Sequence, residues 1–432
     1  MRQKFYIILG VSLGFWLPVT AQKIKIKEKE VARIVRTLSA DDMQGRQVFT
    51  PGIQKASNFI QKEFKKIGLE FLPGLSSYEQ TFTTYQIQPL SQKILLNEQE
   101  IPNEGVILSV SQEELNWTPT NATIKQVLIP ATANFVAEAG KYLNQDQNLL
   151  VLVHPSHAAI FKRYQNYLQR SNIKLQKQNT GVVFVLTELP EVNNFNISVK
   201  NRITEQKLNN VVGVLPGKSR KEEYVIISAH YDHIGILTAV NGDSIANGAD
   251  DDASGTTAVI TLARHFKKQK NNERTLIFVA FTAEEVGGFG SQYFSKQLDP
   301  LKISAMFNIE MIGKESQFGK NAGFITGFER SDLGTIMQKN LAGSPYQFHP
   351  DPYTQQNLFY RSDNATLARL GVPAHSLSSD KIDTDKLYHS VDDEFESLNI
   401  SSMTQIIKAI AKGATSIISG ADTPTRIPPS AE

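Results

Sequence analysis

Imidazoles and carboxylates are concentrated in five short segments of this chain. His230-Tyr231-Asp232-His233 comes first, followed by Asp250-Asp251-Asp252 within Gly-Ala-(Asp)₃-Ala-Ser-Gly and then by Glu284-Glu285. Glu310, in Asn-Ile-Glu-Met-Ile-Gly, and His389, in Tyr-His-Ser-Val-Asp-Asp, complete the series. These side chains are the donors that hard-to-borderline divalent metals prefer. Each segment leaves a predicted strand or opens a predicted helix, where an open α/β sheet gathers its ligands. One such cluster can arise by chance. Five in this order point to an active site.

Each segment also has a plainer reading. His230 can offer a ring nitrogen to a metal while Asp232 holds the proton on the other nitrogen and fixes the tautomer; a core histidine with an ordinary partner looks the same. Three adjacent carboxylates repel one another unless a cation is close. Capping the helix that begins at Gly255 and Thr256 needs one Asp, not three, whereas a carboxylate can bridge two metals about 3.5–4 Å apart. Glu284 and Glu285 diverge at a strand exit, so one can ligate while the other faces metal-bound water. Two solvent-facing glutamates at a helix start are the alternative. The other histidines read as ordinary: His233 as a hydrogen-bonded wall residue, His265 on the polar side of a helix, His154 and His157 in the middle segment, and His349 and His375 near loops or strand ends.

The elements that must position these groups follow from periodicity. Val31, Ile34, Val35 and Leu38 fall at helical spacing, and a second helix carries Ile53, Ala56, Ile60, Phe64 and Ile67 until Gly68. Residues 89–205 change character: short β-type runs (Val106–Leu108, Leu149–Val153, Val182–Val185) alternate with Asn- and Gln-rich connections, which predicts an inserted β-rich domain. From residue 206 strands and helices alternate, with Tyr224–Ile227, Leu276–Phe281 and Ala305–Ile309 as strands and Val259, Leu262, Ala263 and Phe266 on one helix face. This predicts a three-layer α/β/α sandwich on a mixed, mostly parallel sheet. The domain divisions are 22–88 (N-terminal helices), 89–205 (insert), 206–420 (main domain) and 421–432 (a loose tail).

A chain of 432 residues suits two domains, or one with a large insertion. Hydrophobic content of 41% and charged content of 20% describe an ordinary soluble core, and a net charge of +2 gives no reason to expect nucleic acid as a partner. Residues 1–21 read as a signal peptide: Arg2 and Lys4, an apolar run from Phe5 to Leu17, and small residues at Val19 and Ala21. Export, to the periplasm or medium with cleavage after Ala21, is the expectation; an uncleaved anchor is the alternative. No later segment reaches the roughly 20 apolar residues of a membrane span. The absence of cysteine excludes thiolate metal sites and cysteine nucleophiles.

Taken together, Ala-His-Tyr-Asp-His, Gly-Ala-Asp-Asp-Asp-Ala-Ser-Gly, Thr-Ala-Glu-Glu-Val-Gly, Asn-Ile-Glu-Met-Ile-Gly and Tyr-His-Ser-Val-Asp-Asp resemble the di-zinc aminopeptidases. Those enzymes share a structural family with glutamate carboxypeptidases, glutaminyl cyclases and the transferrin-receptor ectodomain. The resemblance covers residues 206–420 and the two N-terminal helices. It implies two zinc ions (cobalt or manganese are alternatives), with His230 and Glu310 on one, Glu285 and His389 on the other, and Asp251 bridging. It further implies Glu284 as general base towards a metal-bridging water, Asp232 as partner of His230, a strained peptide between Asp251 and Asp252, and a protease-associated domain in the insert. Two positions depart from the family pattern: Glu310 stands where Asp is usual, and Asn364 follows Ser362-Asp363 where a His is expected. The reading is an exported zinc exopeptidase acting on peptides, an aminopeptidase in preference to a carboxypeptidase, because a carboxypeptidase needs a cationic pocket; Arg361 could supply one. A glutaminyl cyclase and a non-catalytic receptor-like ectodomain are the remaining alternatives.

Overall fold

The computed structural model describes residues 24–428 except Ala122, Asn144 and Ser171. The expected leader, residues 1–21, lies outside the described residues. The central sheet runs in the order Gln347–Pro350, Ala322–Ile325, Ala374–Ser378, Ile303–Ile309, Arg220–His230, Arg274–Phe281, Phe195–Leu215, Glu79–Leu96. Its middle is parallel: Arg220–His230 pairs in parallel with both Arg274–Phe281 and Ile303–Ile309, which in turn pairs in parallel with Ala374–Ser378. Antiparallel neighbours flank this block, so the sheet is mixed.

Alternation along the strands builds the three layers. Val225, Ile227 and Ala229 join the core beneath Glu28–Leu38, Pro51–Ile67, Gly255–Gln269 and Ile400–Gly413. Ile226, Ile277, Val279 and Met306 point to the other face, against Phe294, Leu367 and Ala368. The helix Gly255–Gln269 forms because Ala258, Val259, Leu262, Ala263 and Phe266 make one buried stripe. Gly68 ends Pro51–Ile67 in a left-handed conformation, φ 78°, its N–H donating to Phe64 and Lys65 carbonyls. Among the described residues no helix is long and apolar enough to cross a membrane.

The middle segment is built mainly of strands, with two helices that the sequence reading did not foresee. Glu79–Leu96 and Phe195–Leu215 form one long antiparallel pair. It carries a four-stranded sheet of Val106–Val110, Gly181–Leu186, Leu149–Val153 and Lys125–Ile129, together with helices Phe135–Leu143 and Ala158–Arg170. The expected loose tail is docked as far as it is described: Ile427 is 2% exposed, Arg426 donates to the carbonyls of Pro300, Ile303 and Leu370, and Arg274 holds the Asp422 carbonyl. A single buried isoleucine in a polar, Pro-rich stretch anchors it. His265, expected on a polar helix face, is buried, and burial pulls its pKa down to about 4.

Candidate metal centre

Parallel register explains why distant segments meet. His230 lies opposite Phe281 on adjacent strands, and Ile303–Ile309 is the other neighbour. Their carboxyl ends therefore deliver His230, Glu284-Glu285 and Glu310 to one edge. The aspartate triplet lies in the turn Ala249–Ser254 that enters the helix Gly255–Gln269. Gly248 precedes it at φ 56°, and a Cβ there would stand 2.2 Å from the Asp251 carbonyl, so only glycine fits. The Asp251–Asp252 peptide is cis.

Within the triplet the outer carboxylates serve the backbone. Asp250 Oδ1 accepts from the Gly313 N–H at 2.7 Å, and Asp252 Oδ1 accepts from Gly255 at 2.9 Å and Met311 at 3.1 Å. Asp393 accepts the N–H groups of Asp250 and Asp251. Arg46, fully buried, donates to the carbonyls of Leu38, Tyr231, Asn247 and Gly248 and so fixes both sides of the turn. Asp251 alone turns both oxygens to the site.

Asp251 Oδ1 lies 3.2 Å from His230 Nε2, and Oδ2 lies 3.2 Å from His389 Nε2. Glu310 Oε1 is 3.3 Å from the same His230 nitrogen, and Glu285 Oε2 is 3.1 Å from that of His389. Ser362 donates to the second oxygen of Glu310 at 2.6 Å, holding the longer side chain in place. Ligand atoms of His230, Asp251 and Glu310 lie within 4.8 Å of one another, as do those of His233, Asp251 and Glu285. Two imidazoles and three carboxylates converge here, donor types that suit hard-to-borderline divalent cations.

The electrostatics are those of a cation site. Burial pushes the Glu284 carboxyl well above its ordinary value, and Glu310, Glu285 and Asp363 reinforce this. Burial would also raise Asp251, but His233, His230 and His389 hold it well below the usual range. His389 moves up to about 10: burial opposes the shift, while Asp251 and Glu285 impose it.

Two neighbours differ from the sequence reading. The Asp232 carboxylate is 3.8 Å from His230 Nδ1, beyond hydrogen-bond reach; the Asp232 backbone carbonyl accepts from that nitrogen at 3.1 Å. The carboxylate instead accepts the N–H groups of Glu284 at 3.1 Å and Glu285 at 3.2 Å, charge-assisted bonds that fix the glutamate pair. His233 is more than a wall: its Nδ1 is 2.8 Å from Glu285 Oε1, and its buried Nε2 has no hydrogen-bond partner. Asn364 is structural, donating to the Phe359 and Ala374 carbonyls and accepting from Ser376. His375 is a buried strand residue between Ser331 and the Thr326 carbonyl.

Two cavities open on this centre. The smaller has Asp251, Glu284 and Glu310 at one end and Met311, Phe324 and Tyr388 in its wall. The larger lies between Glu284, Arg361 and Arg369 and is reached by Tyr167 of the insert. Tyr388 stacks on His389 with ring centroids 3.9 Å apart and lines both; no sequence signal singled it out.

Residues 210–414 match peptidase family M28. Leucine aminopeptidase 1 of Pyrenophora tritici-repentis is 28% identical over 264 residues, 58% of this chain and 66% of that protein. Leucine aminopeptidase 1 of Ajellomyces capsulatus (strain G186AR) is 30% identical over 214 residues, 46% of this chain and 53% of that protein. The matches thus span between about half and two thirds of these relatives' own lengths. Among solved structures, a zinc aminopeptidase from Bacillus subtilis aligns with a TM-score of 0.54 at 14% identity, over 95% of this chain and 100% of that one. An aminopeptidase from Aneurinibacillus sp. strain AM-1 aligns at 0.53 and 18%, over 91% and 94%. At these identities the structural likeness shows the fold.

Proposed function

We propose, from the match of residues 210–414 to peptidase family M28, that this chain belongs to that family and is an exported di-zinc aminopeptidase. The observation that carries the reading is the division of Asp251, one oxygen 3.2 Å from His230 and the other 3.2 Å from His389. His230, Asp251 and Glu310 would hold one cation; Asp251, Glu285 and His389 would hold the second. Zinc suits this donor set, and cobalt or manganese would also be accepted. When bound, the pair would supply Lewis acidity, making water a better nucleophile and polarising the scissile carbonyl.

The side chains supply the rest. Glu284 takes a proton from the attacking water and returns it to the departing amine as the C–N bond breaks. A carboxyl whose buried, acidic surroundings raise its proton affinity suits that role. Asp232 sets the position of Glu284 through its backbone N–H. Burial, with Asp251 and Glu285 beside it, drives the Tyr388 hydroxyl far above its ordinary pKa, so it keeps its proton and can donate to the developing oxyanion. The aminopeptidase relatives and the sequence of residues 1–21 support the direction of attack and export respectively.

Glu284→Gln is expected to retain both metals by elemental analysis while hydrolysis of unblocked amino-acid arylamides falls at least about 100-fold. Full activity in that variant would refute the base assignment. One observation favours carboxypeptidase action: Arg361 lines both cavities, and no hydrogen bond or ion pair of its guanidinium is present among the described residues. Cleavage of N-blocked peptides with a free carboxylate would select that reading.

A further inference from the structure

Asn308 is fully buried two residues before Glu310, on the strand Ile303–Ile309. Parallel register sets Ser228 on one side of it and Ser376 on the other, so three polar side chains form a row across three strands. Such a buried row is costly unless its members are paired. They are paired with one another and with two neighbours. Ser228 Oγ is 2.8 Å from Asn308 Oδ1, while Asn308 Nδ2 is 2.8 Å from Ser362 Oγ and 3.0 Å from Ser376 Oγ. Ser376 Oγ lies 2.9 Å from Asn364 Oδ1, and Ser362 Oγ lies 2.6 Å from Glu310 Oε2.

The direction of these bonds follows from Asn364, because two of its partners can only accept. Its Nδ2 donates to the Phe359 carbonyl at 2.9 Å and the Ala374 carbonyl at 3.3 Å, which turns Oδ1 towards Ser376. Ser376 must therefore donate its one proton to Asn364, and its oxygen is left to accept from Asn308. That fixes the Asn308 amide, with Nδ2 facing both serines and Oδ1 accepting from Ser228. An amide turned the other way would meet Ser376 acceptor to acceptor. Ser362 in turn accepts from Asn308, so its own proton goes to Glu310 Oε2. Glu310 Oε1 is left facing His230 Nε2 at 3.3 Å.

We propose that Asn364 and Asn308 are positioning residues of the metal centre. They orient the Ser362 hydroxyl so that it donates to Glu310, and so fix which carboxylate oxygen the cation beside His230 receives. Glutamate needs such a hold, because its carboxylate turns about one torsion more than that of aspartate, and a committed Oε2 removes that freedom. The inference rests on the two-metal reading and adds to it the residues that tune one of the two sites.

Zinc affinity, measured by chelator competition in a double-substitution cycle, tests this. The wild-type protein is expected to hold two zinc ions. Ser362→Ala and Asn308→Asp should each weaken one of them about 10- to 100-fold, the scale for a partner of a ligand, and leave the other unchanged. The sign in Asn308→Asp is informative: an added negative charge alone would tighten cation binding, whereas an acceptor facing Ser362 draws its proton away from Glu310. The double variant should bind no more weakly than Ser362→Ala, because Asn308 acts through that serine. Asn308→Ala replaces Asn308→Asp in the cycle if the buried carboxylate prevents folding. Two unaffected zinc ions in Ser362→Ala, or losses that multiply in the double variant, overturn the proposal. Fewer than two zinc ions in the wild type would instead refute the two-metal reading, and this inference with it.

Discussion

Asp251 can face two imidazoles because everything around it is occupied. Asp250, Asp252 and Asp393 satisfy backbone N–H groups, and Arg46 satisfies the carbonyls. Asp232 holds the glutamate pair by the same means, which predicts a specific defect. Asp232→Asn offers one acceptor where two N–H groups converge, so activity should fall about 10- to 100-fold, the usual scale for a partner of a ligand. Steady-state kinetics with metal content measured in parallel checks this. His233→Phe should weaken binding of the metal near Glu285 by a similar factor, because Glu285 loses the 2.8 Å contact that orients it; competition with a chelator reads it. That His230, Asp251, Glu285, Glu310 and His389 would be brought together was legible in the sequence, because residue type and strand-end position carry that information. The contact of His233 with Glu285 was not, since no spacing rule encodes it.

At the scale of elements, the helix Gly255–Gln269 is fastened to the two N-terminal helices by charge. Arg264 pairs with both Glu30 and Glu63, and Arg33 and Lys66 also reach Glu63, whose side chain is fully buried. Glu30 is held down at about 2, chiefly by its hydrogen bond from Arg33. Burial would raise Glu63, but Lys66 and Arg33 keep it below its ordinary value. Carboxyls with lowered native pKa values bind fewer protons folded than unfolded, so their stabilisation is present above about pH 4.5 and fades towards pH 2. Glu63→Gln should cost about 2 kcal/mol at neutral pH and flatten the acid limb of stability; urea unfolding at pH 6 and pH 3 measures both. The sheet and the helix faces were readable from period and apolar runs. The helix Ala158–Arg170 was not, since Phe161 is its one fully buried apolar residue, with Ile160, Tyr164 and Leu168 half-buried behind it. A weak stripe in a polar segment reads as connection.

Across the whole molecule, a long strand pair carries the middle segment out of the main sheet, yet Tyr167 from its helix returns to the larger cavity. The site therefore draws on both parts of the chain. Tyr167→Ala should raise KM for peptides extending beyond the scissile bond while leaving small arylamides nearly unchanged, because only the longer substrates fill that cavity. Comparing the two substrate sets before and after substitution checks it. The most direct measurement of the central claim is anomalous diffraction at the zinc edge from crystals of the zinc-loaded protein. Two peaks about 3.5–4 Å apart, one on each side of the Asp251 carboxylate, are predicted; a single peak, or none within bonding distance of Asp251, would contradict the account.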